Sequence, residues 1–280
     1  MISIAVIGSV NLDIVARAPR LPSAGETVTG AELFRFPGGK GANQALAAKR
    51  LGADVQLIAC VGDDAAADEA LVLLRKDGVD LSACSTLEGV STGTALIAVE
   101  PGGENQIVVA PGANAGLTPE CVPEVDSDAV ICQLEVPTET IATVAARFDG
   151  FFCINLAPAR HIHVAVLQRA DLVVVNETEA AWYGAALRAC GGMIATTRGA
   201  GTAMLERDGA VIAEERPPDV DAVDATGAGD TFTAALTVAL VEGHTPQQAL
   251  SFACTAGAMA TTKMGAQPSL PYRDRLSDGQ

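Results

Sequence analysis

Long apolar runs are missing from this 280-residue sequence, although 49% of its residues are hydrophobic. A membrane-spanning helix needs roughly 18 consecutive apolar residues. No run reaches that length, which argues against a membrane protein. A basic segment is also missing before the strand-like start at Met1–Val10. No signal peptide is therefore predicted, and we expect a cytoplasmic protein.

Basic residues are scarce, since 18 Lys and Arg stand against 34 Asp and Glu, for a formal net charge of −16. A surface of this kind repels nucleic acid and anionic membranes, so neither is expected as a partner. An anionic substrate would need a local cluster of backbone N–H groups, or a metal ion, to offset the negative field.

The seven cysteines include no C-x-x-C pair, their number is odd, and most of them lie in apolar runs. This usage indicates reduced, buried thiols in a reducing compartment rather than a disulfide framework. Internal repeats, low-complexity tracts and long linkers are also missing. The length suits one large α/β domain or two small ones.

The sequence does contain apolar, β-branched runs that alternate with Ala-rich helical runs. The first of these predict strands at Ile2–Val10 and Val55–Val61 and helices at Gly41–Leu51 and Asp64–Asp77, the second helix ending at Gly78. Such alternation predicts an α/β fold with a mainly parallel central sheet and helices on both faces. Further strands are predicted at Ala129–Val136, Phe151–Asn155, Asp171–Asn176 and Met193–Thr197, and further helices at Gly229–Glu242 and Thr245–Lys263.

Two stretches, Asp13–Pro37 and Thr92–Ala110, contain no helical pattern. The second predicts a β-hairpin around Pro101-Gly102-Gly103. Together the two stretches predict a small antiparallel sheet that stands off the main domain, although two unrelated surface hairpins would read the same way. A sheet exposed on one face needs a ligand or a partner to cover its apolar side.

The most specific motif is D-A-T-G-A-G-D-T-F at residues 224–232, directly before an Ala-rich helix. The N–H groups of Gly227, Ala228 and Gly229 would lie at the helix start, where unpaired N–H groups and the helix dipole favour an anion. Asp230 would lie beside them and could take a proton from an attacking hydroxyl. The structural alternative is an Asp that caps an ordinary helix.

Four further segments place polar groups at the ends of strands or the start of a helix. P-G-G-K-G-A-N-Q at 37–44 lacks the spacing of a phosphate-binding P-loop, but it brings Lys40 and Asn43 to a helix start, where they suit a polyol. Asn11 and Asp13 follow the first strand, and Glu135 ends another, so a ligand site or a simple turn is expected there. Asn176 and Glu179 follow a later strand and suit a hydrated Mg²⁺ or an acidic helix start.

In type and order these motifs resemble the ribokinase-like (PfkB) carbohydrate kinase family, from G-S-V-N-L-D at 8–13 to G-A-Q-P-S at 265–269. G-E-T-V at 25–28 and G-A-N at 112–114 fit the same resemblance. It implies a single α/β kinase domain over residues 1–280, with a β-sheet lid from about 13–37 and 92–110. It also implies transfer of the ATP γ-phosphoryl group to the 5-hydroxyl of D-ribose, with dimerisation through the lid.

The resemblance assigns roles residue by residue. Catalysis falls to Asp230 as the base, with Gly227, Ala228 and Gly229 as the anion hole. The residues implied to bind the sugar are Asn11, Asp13, Gly39, Lys40, Asn43 and Glu135. The residues implied to bind the nucleotide are Asn176, Glu179, Thr197, Gly199, Gly201, Thr202, Gly229 and Cys254. Mg²⁺ is implied to lie near Glu179. An activating K⁺ falls to Asp224, Thr226, Ala260, Lys263, Gly265 and Ser269.

Two departures from the family pattern bear on these expectations. Residues 183–193 are shortened, which leaves the register of the following strand open, and Cys254 stands where a polar or aromatic group is expected near adenine. A relative that acts on another sugar or on a nucleoside remains an alternative. A catalytically silent sugar-binding or regulatory protein is another, and the intact Asp230 and its glycines argue against it.

Overall fold

The computed structural model describes residues 1–276, which form two β-sheets and eight α-helices. The strands are β1 (Ser3–Ile7), β2 (Asn11–Arg17), β3 (Glu32–Gly38), β4 (Asp54–Gly62), β5 (Cys84–Leu87), β6 (Gly93–Val99), β7 (Asn105–Ala110), β8 (Ala129–Gln133), β9 (Phe151–Asn155), β10 (Leu172–Asn176), β11 (Met193–Thr197), β12 (Ala203–Arg207) and β13 (Ala210–Glu215). The helices are α1 (Lys40–Arg50), α2 (Ala65–Asp77), α3 (Thr138–Arg147), α4 (Val164–Arg169), α5 (Glu177–Tyr183), α6 (Ala228–Val241), α7 (Pro246–Met259) and α8 (Ala266–Ser269).

The large sheet has nine strands in the order β13-β12-β11-β10-β9-β8-β1-β4-β5. Seven neighbouring strands from β11 to β5 run parallel, and β12 and β13 extend the sheet antiparallel at one edge. One apolar core lies between this sheet and helices α1, α2, α6 and α7, and a second lies against α3 and α4 on the other face. The predicted α/β architecture is therefore confirmed.

The small sheet has four strands in the order β3-β2-β6-β7. It is mainly antiparallel, but its two central strands, β2 and β6, pair parallel over Asn11–Arg17 and Gly93–Val99. The hairpin predicted within residues 92–110 is confirmed as β6 and β7. Both helix-free stretches contribute to this one sheet, rather than forming two unrelated hairpins.

The first predicted strand is shorter than expected. Ile2–Val10 was predicted as one strand, but β1 ends at Ile7 and the chain enters the small sheet at Asn11. The turn between them is fixed by packing against the start of α1, where a Cβ on Gly41 would lie 2.5 Å from the backbone nitrogen of Ser9. This close approach brings the end of β1, the start of β2 and the start of α1 together.

Other differences concern the ends of elements. The helix predicted over Thr245–Lys263 ends at Met259, and α8 follows after a turn. The shortened region 183–193 contains a 3₁₀ turn at Gly184–Ala189, and β11 then pairs in register with β10, from Leu172↔Met193 to Asn176↔Thr197. Within residues 1–276, none of the helices combines the length and the apolar character that crossing a membrane requires.

Candidate active site

A cavity of about 1110 Å³ lies between the carboxyl ends of the central strands and the small sheet. Ligands of open α/β sheets bind at this edge because the strand-end loops and helix starts leave polar groups there. The wall contains most of the residues singled out from the sequence: Asn11, Asp13, Gly39, Lys40, Asn43, Glu135, Asn176, Glu179, Thr197, Asp224, Thr226, Gly227, Gly229, Asp230 and Gly265.

Asp230 lies in the first turn of α6 and is only 6% exposed. Gly227 precedes the helix with φ of 84°, a left-handed conformation that glycine adopts without strain. No side chain among the described residues caps this helix end. Asp230 is therefore not the N-cap, and the helix end is open to a ligand in the cavity.

Both carboxylate oxygens of Asp230 accept amide hydrogen bonds from α1. The Nδ2 of Asn43 donates to Oδ2 at 2.8 Å, and the Nε2 of Gln44 donates to Oδ1 at 2.9 Å. Burial raises the pKa of Asp230, while Lys40 and these two donors oppose the rise. The carboxylate is thus held by fixed donors in a site that otherwise disfavours its charge.

A second acidic group, Asp13, lies across the cavity on β2 and is 7% exposed. Burial, followed by the charges of Glu135 and Asp230, raises the pKa of Asp13 from 3.8 to about 7. Lys40 lies half-buried among these carboxylates, and they raise its pKa although burial alone would lower it. One lysine at the start of α1 therefore balances several acids.

Glu135 and Asn11 are each oriented by residues that the sequence interpretation left out. The Ser9 hydroxyl donates to Glu135 Oε2 at 2.5 Å, and the backbone N–H of Lys40 donates to the same oxygen at 3.2 Å. Asn114 donates through Nδ2 to Asn11 Oδ1 at 2.8 Å. Ser9 and Asn114 lie within the motifs at 8–13 and 112–114, but a motif alone does not show which side chains its residues contact.

Asn176 and Glu179 form a reciprocal cap at the start of α5. Asn176 Oδ1 accepts the N–H of Glu179, and Glu179 Oε2 accepts the N–H of Asn176, both at 2.8 Å. Both residues also line the cavity, and burial raises the pKa of Glu179. The same two side chains therefore cap α5 and line the cavity.

Asp224 joins two segments beside the N-terminus of α6. Its Oδ1 accepts from the N–H and hydroxyl of Thr226 at 2.9 and 2.6 Å, and its Oδ2 accepts from the N–H of Gly265 at 2.8 Å. The N–H groups of Val223 and Asp224 both donate to the carbonyl of Thr261. Of the predicted cation residues, Asp224, Thr226 and Gly265 are thus brought into one loop cluster.

Several predicted site residues lie outside the cavity wall. Cys254 is buried, and its thiol donates to the carbonyl of Glu215 at 3.8 Å. Gly199 and Gly201 lie exposed in the turn between β11 and β12. Five further residues of this group do not line the cavity: Thr202, Ala228, Ala260, Lys263 and Ser269.

Comparison with known proteins agrees with this geometry. The model of the pfkB family of carbohydrate kinases matches residues 1–273. The chain belongs to the pfkB family of carbohydrate kinases.

Among relatives of this pfkB protein, a ribokinase of Bacillus subtilis is 36% identical over 99% of both chains. The crystal structure of a ribokinase from Thermotoga maritima has a TM-score of 0.88 and 32% identity, over 99% of both chains. The structure of an Arabidopsis thaliana ribokinase complexed with ribose and ATP has a TM-score of 0.83 and 27% identity, over 99% of this chain and 98% of that one. The small sheet and the large sheet therefore follow the pattern of these kinases.

Proposed function

We propose that this pfkB kinase transfers the γ-phosphoryl group of ATP to the 5-hydroxyl of D-ribose, with Asp230 as the general base. The observation that carries the proposal is the placement of Asp230, a buried carboxylate in the first turn of α6 beside an uncapped helix end. A carboxylate there can accept the hydroxyl proton while the helix end stabilises the transferring phosphoryl group.

The sugar is proposed to lie between α1 and the small sheet, held by Asn11, Asp13, Gly39, Lys40, Asn43 and Glu135. Supporting this, Oδ1 of Asn43 is one of three buried side-chain atoms that lack a hydrogen-bond partner among the described residues. Its amide nitrogen is directed to Asp230, so the oxygen remains to accept a ligand hydroxyl. Buried polar atoms without partners are costly, and a bound sugar would remove that cost.

The nucleotide phosphates are proposed to lie at Gly227, Ala228 and Gly229, near Asn176 and Glu179. Six carboxylates line the cavity, those of Asp13, Glu100, Glu135, Glu179, Asp224 and Asp230, against the cations of Arg17 and Lys40. This excess of acid would repel a polyphosphate, and an all-oxygen donor set suits Mg²⁺. Mg²⁺ near Glu179 would supply the charge that brings the phosphates into this field.

The base and ribose of the nucleotide are proposed to extend from Thr197 towards Gly199, Gly201 and Thr202, with Cys254 behind them. Thr197 ends β11 and lines the cavity, which supports this direction. A cytoplasmic location is part of the proposal, because the reaction consumes ATP.

A monovalent cation, K⁺, is proposed as an activator at the loop cluster of Asp224, Thr226, Ala260, Lys263, Gly265 and Ser269. Supporting this, the Asp224 carboxylate ties two segments of the cluster together beside the helix end of α6. Backbone carbonyls there would complete the donor set, and an ordered loop would hold the anion hole in place. Equal rates in K⁺-free and K⁺-rich buffers of matched ionic strength would count against this site.

The small sheet is proposed to cover the sugar and to join two copies of the chain. Its inner side chains, including Val15, Ala95 and Ile97, line the cavity. Its outer face carries Leu33, Leu96 and Val108, which are at least 49% exposed. An outer apolar face of a four-stranded sheet is covered most simply by the same face of a second copy.

The test of the proposed function is turnover by Asp230→Asn on a panel of pentoses, hexoses and nucleosides with ATP. The native protein should prefer ribose, and the variant should lose at least about 10²–10⁴-fold in kcat while still binding ribose. Near-native turnover by the variant would refute the base assignment. A native preference for a nucleoside or another sugar would favour the alternative substrate class within the family.

A further inference from the structure

Gln44 is fully buried on α1, and its amide group joins three other elements by hydrogen bonds. Its Nε2 donates to Asp230 Oδ1 at 2.9 Å and to Asn155 Oδ1 at 3.3 Å. Its Oε1 accepts from the Nε2 of Gln133 at 2.6 Å. Gln44 does not line the cavity, so these contacts are directed at neighbouring side chains rather than at a ligand.

The two strand residues in this network are neighbours. Gln133 is the last residue of β8, Asn155 is the last residue of β9, and the two are paired in the parallel register. Both therefore lie on the same face of the sheet, the face that α1 and α6 cover. These amide groups connect the ends of two parallel strands with the N-terminal part of α1 and the first turn of α6.

The two acceptors at the ends of this amide network fix the direction of every hydrogen bond within it. An ionised Asp230 carboxylate only accepts, so the NH₂ group of Gln44 must face it. The carbonyl of Val174 also only accepts, and it receives the Asn155 Nδ2 at 3.1 Å, which leaves the Asn155 oxygen facing Gln44. The Gln44 oxygen must then face Gln133, whose NH₂ group supplies the matching donor.

We propose that Gln44 is a positioning residue for catalysis, held in one amide orientation by Gln133 and Asn155 so that it fixes the Asp230 carboxylate towards the substrate hydroxyl. This inference rests on the proposed role of Asp230 as the base. Asn43 holds the other oxygen of the carboxylate but also faces the cavity. Gln44 contacts Asp230 without lining the cavity, so its loss should lower kcat more than it weakens sugar binding.

The hydrogen bond from Gln44 affects the pKa of Asp230, because several charged groups surround this carboxylate. Burial raises the pKa of Asp230, as does Glu135, whereas Lys40, Asn43 and Gln44 lower it. Asp13 and Glu179 also face this carboxylate from β2 and α5. Loss of the Gln44 donor therefore raises the pKa of Asp230 further, and the base is protonated at a higher pH.

The test is Gln44→Met, which keeps the length of the side chain but removes both amide functions. We expect kcat to fall about 10–100-fold, with little change in KM for the sugar. The acid limb of the kcat–pH profile should move upward by about one pH unit, because a hydrogen bond to a charged group is lost. A merely structural defect would lower the amount of folded protein without moving this limb.

Gln133→Met provides a second variant in case Gln44→Met folds poorly. The Oε1 of Gln133 lacks a partner among the described residues, so its removal offsets the stability lost when Gln44 Oε1 loses its donor. We expect Tm to change little and kcat to fall about 10-fold. In the double variant the second substitution should add nothing to Gln44→Met, because Gln133 acts only through Gln44.

Thr237→Val is the matched control, since Thr237 is buried two turns further along α6 and its hydroxyl donates to Thr233. It should leave kcat and the pH profile unchanged. Native-like kcat and an unmoved acid limb in Gln44→Met, or additive losses in the double variant, would overturn the inference while the base assignment stands. Near-native turnover by Asp230→Asn would instead overturn the proposed function and this inference with it.

Discussion

Asp13 illustrates a conflict between binding and stability within one side chain. Its pKa is raised to about 7 in the folded protein from an ordinary value of 3.8, mainly by burial. Between these two values the folded chain holds a proton that the unfolded chain lacks, so stability falls as pH rises through this window. Above pH 7 the buried carboxylate is a net cost to folding that is retained for the ligand it would bind.

We therefore expect Asp13→Asn to stabilise the free protein at pH 8 and to weaken ribose binding. The pKa difference of about 3 units sets an upper limit of ~4 kcal/mol. A gain of ~1–3 kcal/mol is expected because Lys40 loses a favourable partner. Chemical denaturation at pH 8 and pH 4.5, with calorimetric ribose titration, measures both effects. A variant that is less stable at pH 8 and binds ribose normally would contradict this account.

Asn43 shows how far residue roles could be predicted from the sequence. Its position at the start of α1 was predicted from the glycines before it, and the structure places it in the cavity wall. Its bond to Asp230, however, joins residues 187 positions apart. Spacing within a motif gives no information on a contact of this kind. For the same reason the contacts among Gln44, Gln133 and Asn155 were not predicted, because they depend on which strand ends and helix starts the topology brings together.

Buried strands were easier to predict than exposed ones. β9 and β11 are largely buried, and both were predicted with the bounds observed. β12 and β13 carry exposed and charged residues at the sheet edge and left no comparable pattern. The parallel pairing of β2 with β6 was also beyond prediction, because it depends on the turn that directs the chain from β1 into the small sheet.

The contact between α1 and the end of β1 fixes that turn, and Gly41→Ala tests it. A Cβ on Gly41 would lie 2.5 Å from Ser9 N and 2.6 Å from Gly8 C, so backbone must move. We expect a loss of about 1–3 kcal/mol in the free energy of unfolding. The accompanying shift of α1 should also lower kcat, because Lys40 and Asn43 move with it.

Gly229→Ala is the comparison for this substitution, since no described heavy atom outside its chain neighbours and its own helix backbone lies within 4 Å of a Cβ built there. Alanine is the better helix former by about 0.5–1 kcal/mol, so this variant should be as stable as the native protein or more so. Its methyl group would face the cavity, and ATP affinity should fall. Equal thermal stability of the two variants would show that Gly41 does not fix the turn.

At the scale of the whole molecule, the outer face of the small sheet is an exposed apolar surface. Ile14, Leu96 and Val108 lie directly opposite one another across β2, β6 and β7. Arg35 continues this row on β3 and pairs with Glu69 of α2 at 2.8 Å, which ties one edge of the sheet to the main body. Leu96 and Val108 lie on β6 and β7, away from this ion pair, and they are 49% and 66% exposed.

We expect a second copy of the chain to cover this row around a two-fold axis, so the proposed dimer and the proposed cover over the sugar would share this sheet. Leu96→Asp should give monomers, because two carboxylates would approach each other across the axis. It should also weaken sugar binding, since residues of the same strand, Ala95 and Ile97, line the cavity.

The control is Val211→Asp on β13, where Val211 is also 49% exposed but lies at the far edge of the large sheet. Light scattering and ribose titration compare the three proteins. A native monomer at micromolar concentration would refute the dimer, and native ribose affinity in monomeric Leu96→Asp would separate the cover from the interface.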